Sequence, residues 1–427
     1  MPYAASRRAE FDWLRVVALG LMIVFHSALG FSSWPWLVSD THRSVLLGKI
    51  VDFLWLWRVA LVFVVSGAAL MLALGRRSPA EIMRERLKRL AIPLAFGMVV
   101  IVPPQVYLER LQRGQFHGSY VDYLPHFADG IYPTGNLSWH HLWFIPYLLV
   151  LTAIALPLFT WAGTPARRRI FDPLMQVAID RHLVWLMVVP LTVAHLSLRV
   201  QANDSHNVLF DGRGWMEFGT LFALGGMLAR WPALLTAIQR QRYTALALGM
   251  MAYSAIRIEW PAASGNPATL PLDGALGWSF LSALNVLAWV LTVTGFVTRW
   301  LTRGSSALAY ATEAALPVYI LHQTLVVFAV YNLHDVDLPL GAKLFLTLSF
   351  SVLGSLALYA FVIRRSRWLG LLFGVKPSAA EAGRGQLAAG NQSLNAPGPP
   401  PVVFMGSPTA VASIEMGGRV STDTPGR

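Results

Sequence analysis

Arg15 and His26 stand eleven positions apart inside an apolar run, Phe11 to Phe31, that is long enough to span a bilayer. On a helix they differ by only ~20° around the axis and by ~16 Å along it. One face therefore carries a guanidinium near one membrane surface and an imidazole deeper toward the other. Ionisable groups in a membrane span are costly and usually face an interior cavity. Two of them on one face outline a polar path. The plainer alternative is that Arg15 snorkels to the headgroups while His26 bonds a neighbouring helix.

Other residues invite the same question. Arg86 and Arg89 are three apart and share a helix face. Two guanidinium forks at a membrane mouth suit the oxygens of phosphate groups, although basic residues there also serve as a topology signal. His140 and His141 open a later apolar run. As helix neighbours they point about 100° apart and lack a further ligand at helical spacing, so a metal site is not expected. Tyr319 and His322 make one polar turn in an apolar stretch. Asp52 and Arg58 are candidates for a buried ion network, with Ser66 and Gly67 further along the same run. Glu217 and Glu313 are candidates for pairing with an intramembrane Arg. There is no phosphate-binding loop of Walker type, no Gly-x-Ser-x-Gly nucleophile element, and no pair of broken helices matched in two halves.

These residues need apolar elements to hold them. The 427 residues are 55% hydrophobic and only 13% charged, against about 25% charged in soluble domains. The chain has no Cys, which rules out disulfides, thiol nucleophiles and thiolate metal sites. Apolar stretches run from Phe11 to Phe31, Ile50 to Leu74, Leu90 to Leu108, His141 to Trp161 and Leu183 to Val200. They continue from Trp215 to Ala229, Tyr243 to Trp260, Leu276 to Trp300, Leu308 to Leu333 and Leu340 to Ile363. The expectation is an all-α integral membrane protein, a bundle of about ten transmembrane helices. The first is read as a retained helix rather than a cleaved signal. Gly219, Gly225 and Gly226 in the short sixth stretch would permit close helix packing.

Alternate loops are rich in Arg, among them Arg76, Arg77, Arg84, Arg167, Arg168, Arg169, Arg181, Arg230, Arg240, Arg364 and Arg365. Positive charge collects on the cytoplasmic side, so both termini are expected there. The net charge of +12 is thereby explained without nucleic acid as a partner. The longest opposite loop, roughly Glu109 to His140, would face the periplasm. Residues 1–376 are expected to form the transmembrane domain. Residues 377–427, rich in Ala, Gly, Pro, Ser and Asn, read as a disordered cytoplasmic tail.

Taken in order, these segments resemble a known family. Phe11-Asp12-Trp13-Leu14-Arg15 with His26 is similar to the opening of the membrane-bound acyltransferase-3 family, marked by a basic residue and a His ten intervening positions later. Arg86 and Arg89 match its Arg-x-x-Arg element. Phe63 to Gly67, with Ser66, resembles its second helix, and His141-Leu142-Trp143-Phe144 resembles the start of its fourth. Phe218 to Arg230 looks like its Gly-rich helix, and Tyr319 with His322 its late Tyr-x-x-His segment. The likeness runs from about Arg7 to Phe373. It implies transfer of an acyl group from a cytoplasmic acyl-coenzyme A or similar donor, used as co-substrate with no permanently bound cofactor. The acceptor would be a hydroxyl of an envelope glycan, lipid-linked sugar or glycolipid, and the location the inner (plasma) membrane. The Asp-Trp-Leu-Arg opening looks nearest the branch that modifies periplasmic glucans, often with succinyl.

Acyl transfer to a hydroxyl needs a base and stabilisation of an oxyanion. Under the resemblance, His26 is the base or accepts the acyl group itself. Arg15 is placed with it in the catalytic group, and Arg86 and Arg89 with Arg15 would hold the donor's phosphates or carboxylate. Asp12, Ser66, His141, Trp143, Tyr319 and His322 would support the site or meet the acceptor. The rival from another class is a transporter or flippase for a polar lipid or sugar, which would acylate nothing. A sensor whose His26 titrates is a third reading.

Overall fold

The computed structural model describes residues 8–197, 211–260 and 269–375; the stretch read as a tail lies outside them. The described residues form helices and contain no strand. Helix α1 is Ala9–Leu29. Helices α2, Val45–Trp55, and α3, Arg58–Leu74, make one long run broken at Leu56 and Trp57. The break sets Arg58 at the first residue of α3. Helix α4, Pro79–Gln112, contains two π-turns, Leu87–Ala91 and Gly97–Ile101. Each π-turn lies just before a proline, Pro93 or Pro103, whose missing N–H interrupts the regular ladder. Helix α5 is Phe144–Ala162, entered through a 3₁₀ turn, His140–Trp143.

Next come α6, Pro165–Asp180, and α7, Val188–Leu196. Helix α8 is Gly212–Arg230, α9 is Pro232–Glu259, α10 is Leu272–Trp300, α11 is Ser306–Leu333 and α12 is Leu340–Phe361. Seven of the helical runs are long and apolar enough to cross a membrane. The number rises to nine if each of two bent pairs is one span. The described chain is thus a multi-pass helical membrane protein. The count of about ten goes beyond what length and apolar character establish, and the shortfall lies in the fifth, sixth and seventh stretches. The end of the fifth, Val200 included, lies outside the described residues.

One segment read as a loop is helical. Arg167, Arg168 and Arg169 lie in α6, which bends by 102° from the helix that follows. Its exposed Ile170, Leu174 and Val177 recur at helical spacing opposite charged residues. An amphipathic helix of this kind suits the membrane interface. Alternation of charge alone had no means of showing it.

Packing between α3 and α8 depends on glycine. A Cβ on Gly67 would lie 1.9 Å from the Phe222 carbonyl oxygen, and one on Gly225 would lie 1.9 Å from that of Val64. The two backbones touch, and only hydrogen fits between them. Phe63 stacks on Phe218 at 4.2 Å beside this contact. A Cβ on Gly226 would lie 2.5 Å from the Phe159 ring, whereas one on Gly219 would meet nothing closer than Leu151 at 3.7 Å. Two of the three glycines singled out in the sequence therefore serve packing. Helix α1 lies against both α3 and α11, with α12 along α11 and α9 along α10.

Candidate active site

The Arg end and the His end of α1 become two separate constellations. At the first, Arg15 and Arg89 both lie close enough to Arg86 to repel it. Asp12 holds Arg15 at 3.3 Å, and Glu85 holds Arg89 at 3.6 Å and also pairs with Arg77. Guanidiniums outnumber carboxylates in this group, which gives an anion-attracting mouth. Arg89 Nε donates to the Gly374 carbonyl at 2.8 Å, tying α4 to the chain after α12.

At the deeper end three imidazoles and a phenol meet. His26 of α1 faces His322 of α11, with Nδ1 and Nε2 3.0 Å apart. His322 Nδ1 lies 2.5 Å from the Tyr319 carbonyl oxygen. A carbonyl only accepts, so Nδ1 of His322 carries the proton and its Nε2 is a lone pair. That lone pair accepts from His26 Nδ1–H. The neutral His26 is then left with an unprotonated Nε2. His141 Nε2 donates to the Ile320 carbonyl at 3.0 Å. Tyr319 Oη donates to the His141 carbonyl. The rings of Tyr319 and His322 lie 5.2 Å apart, and those of His141 and His322 5.4 Å.

Amide side chains lock α11 to α4 beside this centre. Gln323 Nε2 donates to Gln105 Oε1 at 2.9 Å, and Gln105 Nε2 donates to Thr324 Oγ1 at 2.7 Å. Thr324 Oγ1 in turn donates to the Ile101 carbonyl in the second π-turn, at 2.8 Å. From α12, Ser351 Oγ donates to the His322 carbonyl at 3.1 Å. A buried network satisfied in this way fixes orientation.

Arg58 joins the centre from α3. It is 4% exposed. Its guanidinium lies over the Phe25 ring, 3.2 Å from the centroid. Nη1 reaches the Leu54 and Trp55 carbonyls at 3.4 and 3.3 Å, while Nε is buried without a partner. Its charge acts on both His26 and Tyr319. The buried ion network expected with Asp52 does not form. Asp52 instead takes Trp34 Nε1 at 2.7 Å and Arg257 at 3.5 Å. The reason is the helix break, which turns Asp52 and Arg58 onto different neighbours. Glu217 does pair with an Arg of an apolar helix, Arg213 at 3.2 Å. Glu313 faces Arg364 at 3.6 Å and accepts from Tyr359 at 2.6 Å.

The fold thus brings His26, His141, Tyr319 and His322 together, and separately Asp12, Arg15, Arg86 and Arg89. Ser66 is half-buried on α3 and makes no hydrogen bond among the described residues. Trp143 packs in an aromatic group with Tyr147 and Phe218, at 5.7 and 5.6 Å. Sequence reasoning left Arg58, Gln105, Gln323 and Thr324 out of the site. The signal for them was polar character inside apolar stretches, with His322, Gln323 and Thr324 consecutive.

An imidazole with an unprotonated nitrogen, held by a second imidazole next to a desolvated guanidinium, suits proton abstraction and oxyanion stabilisation. A multi-pass membrane protein with this centre is equipped for group transfer. The family model described as an acyltransferase domain matches residues 8–362, and the chain belongs to this acyltransferase-3 family. It is a membrane acyltransferase that moves groups other than amino-acyl groups. The transport and sensor readings give way to it. The chain is similar to "Glucans biosynthesis protein C" of Escherichia coli (strain SMS-3-5 / SECEC), 25% identical over 338 residues, covering 77% of this chain and 84% of that protein. Its counterpart from Shigella dysenteriae serotype 1 (strain Sd197) is likewise 25% identical over 338 residues, with coverage of 77% and 84%. That of Salmonella gallinarum (strain 287/91 / NCTC 13346) is 24% identical over 339 residues, with coverage of 76% and 83%. No solved structure matches the chain.

Proposed function

We propose that the protein takes an acyl group from an acyl-coenzyme A or similar thioester on the cytoplasmic side and transfers it to a hydroxyl of an envelope glucan. The observation that carries this reading is the chain of imidazoles that leaves His26 Nε2 unprotonated. It lies ~16 Å along α1 from the Arg15 group. The phosphates of coenzyme A stand a pantetheine arm away from its thioester, so Arg15, Arg86 and Arg89 can hold one end while the acyl carbon reaches the His centre. The names of the relatives support a glucan as acceptor. The bias of Arg toward alternate loops supports cytoplasmic termini, the inner membrane and about ten crossings.

In this reading His26 Nε2 takes the acceptor's proton as its oxygen attacks the thioester carbon. The carbonyl electrons move to oxygen, where Arg58 faces the negative charge. Collapse expels the thiolate, which leaves as thiol with the proton from His26. The products are the glycan ester and the free thiol. His322 holds the His26 imidazolium through Nδ1–H while the proton is on Nε2. In the two-step variant Nε2 attacks the thioester first and expels the thiolate. The hydroxyl then attacks the acyl-imidazole, its proton passes to the thiolate, and the C–N bond to Nε2 breaks to free the imidazole.

The test is binding and transfer by the purified protein, with a panel of short acyl-coenzyme A compounds that includes succinyl. Micromolar binding of one of them, weakened at least tenfold in Arg15→Ala and in Arg86→Ala/Arg89→Ala, is expected. Acyl-glucan seen by mass spectrometry with wild type and absent with His26→Ala completes it. Folded protein that binds none of the thioesters would overturn the donor assignment.

A further inference from the structure

A cavity of about 580 Å³ opens at the end of the bundle away from the Arg15 group. Its volume falls within the range of small-ligand sites, about 300–1,000 Å³. Trp36, Arg43, Gln112, Arg113 and Asp335 are among its lining residues. The indole of Trp36 also stacks on the imidazole of His26, with centroids 6.4 Å apart and planes within 26°. The wall of this cavity is therefore the ring that covers the base.

The loop carrying Trp36 is held in place. Ser39 and Gln112 exchange two hydrogen bonds, at 2.9 and 2.8 Å. Asp40 takes Lys343 Nζ at 2.6 Å, with both groups buried. Arg113 Nη2 donates to the Trp36 carbonyl at 3.3 Å. Trp36 is thus tied to α4 directly and, through Asp40, to α12. Arg43, in contrast, is exposed and makes no bond among the described residues.

We infer that this cavity is the acceptor subsite, taking one or two pyranose units of a glycan with a sugar ring laid on Trp36. The chemistry of the lining matches that class of ligand. The C–H faces of a pyranose pack on a flat aromatic surface, and its ring of hydroxyls needs donors and acceptors around the edge. Arg43, Gln112, Arg113 and Asp335 supply both. A lipid tail has no use for such a rim, and a bare anion has none for the indole. A hydroxyl carried outside the sugar ring is the part that reaches past the indole edge toward His26 Nε2. This inference rests on the glycan-acylating reading and specifies where the acceptor is held.

The experiment is saturation-transfer NMR on the full chain in nanodiscs, with glucose trisaccharides of β-1,2, β-1,3 and β-1,4 linkage as probes. Transfer to pyranose ring protons is expected with wild type and with His26→Ala. Trp36→Ala should weaken binding tenfold or more, Trp36→Phe by less than threefold, and the exposed Arg43→Ala by several-fold. No transfer to any trisaccharide from folded wild type would overturn the subsite, as would equal binding by Trp36→Ala. The KM for sugar in acyl transfer separates the two proposals. If labelled acyl reaches the sugar with KM unchanged in Trp36→Ala, the subsite is wrong and the proposed reaction stands. If sugar binds through Trp36 but never becomes acylated, the subsite stands and the acceptor assignment fails.

Discussion

At the scale of single residues, His26 and Arg58 carry distinct burdens. Loss of a positioned base costs about 10²–10⁴-fold in rate. Replacing His26 by Ala should lower kcat by that factor while the KM for donor moves less than twofold. A split of the opposite kind would make His26 a binding residue. Arg58 is a buried cation whose Nε has no partner, and a charge held in that way costs stability. Changing Arg58 to Met should therefore leave the melting temperature in detergent equal to or above that of wild type. The same change should lower kcat by about 10²–10³-fold, the usual loss of one oxyanion donor. A lowered melting temperature together with full activity would make Arg58 a structural residue.

At the scale of elements, the contact between α3 and α8 sets where Arg58 and Ser66 stand relative to the Gly-rich helix. With a Cβ 1.9 Å from the Val64 oxygen, Gly225→Ala must push two backbones apart. Overpacking of this kind costs about 1–3 kcal/mol. Gly219→Ala has 3.7 Å to its nearest neighbour and gains helix propensity of roughly 1 kcal/mol. Thermal melts of the two variants should move in opposite directions, and equal shifts would contradict the backbone contact. The π-turns of α4 matter in the same way. Thr324 bonds the Ile101 carbonyl at 2.8 Å, so the proline-induced irregularity in α4 becomes an anchor for the turn of α11 that holds His322. Gln105→Leu would leave Gln323 unpaired in a buried place, at a cost of about 1–3 kcal/mol. It should also lower kcat more than it changes the KM for donor.

For the whole molecule, the two constellations stand at different depths, as the proposed transfer across a membrane requires. The absence of Cys in the native chain makes orientation directly measurable. Single cysteines placed by Arg76→Cys and Asp337→Cys should react with an impermeant maleimide from opposite faces of sealed vesicles, Arg76→Cys only from the cytoplasmic face. Labelling of both from one face would overturn the proposed topology. The Arg15 group also predicts an ionic-strength effect. Donor KM should rise with salt in the wild type and rise less in Arg86→Ala/Arg89→Ala, because exposed charge is screened at high salt.

Much of this was legible in the chain. Hydropathy located the helical stretches, because a membrane imposes one length and one solvent on each of them. Helical periodicity put Arg15 and His26 on one face of α1, and the order of short motifs pointed to the family. It could not show that α2 and α3 break apart before Arg58, nor that Asp52 turns to Arg257. The partners of His26 were hidden for a similar reason. His322 lies 296 positions away, and Trp36 reaches back from a loop whose anchors are on α4 and α12. Periodicity fixes which residues share a face within one helix. Which face meets which is decided only when glycines, prolines and buried amides settle how the helices pack, and the unprotonated nitrogen of His26 is a product of that packing.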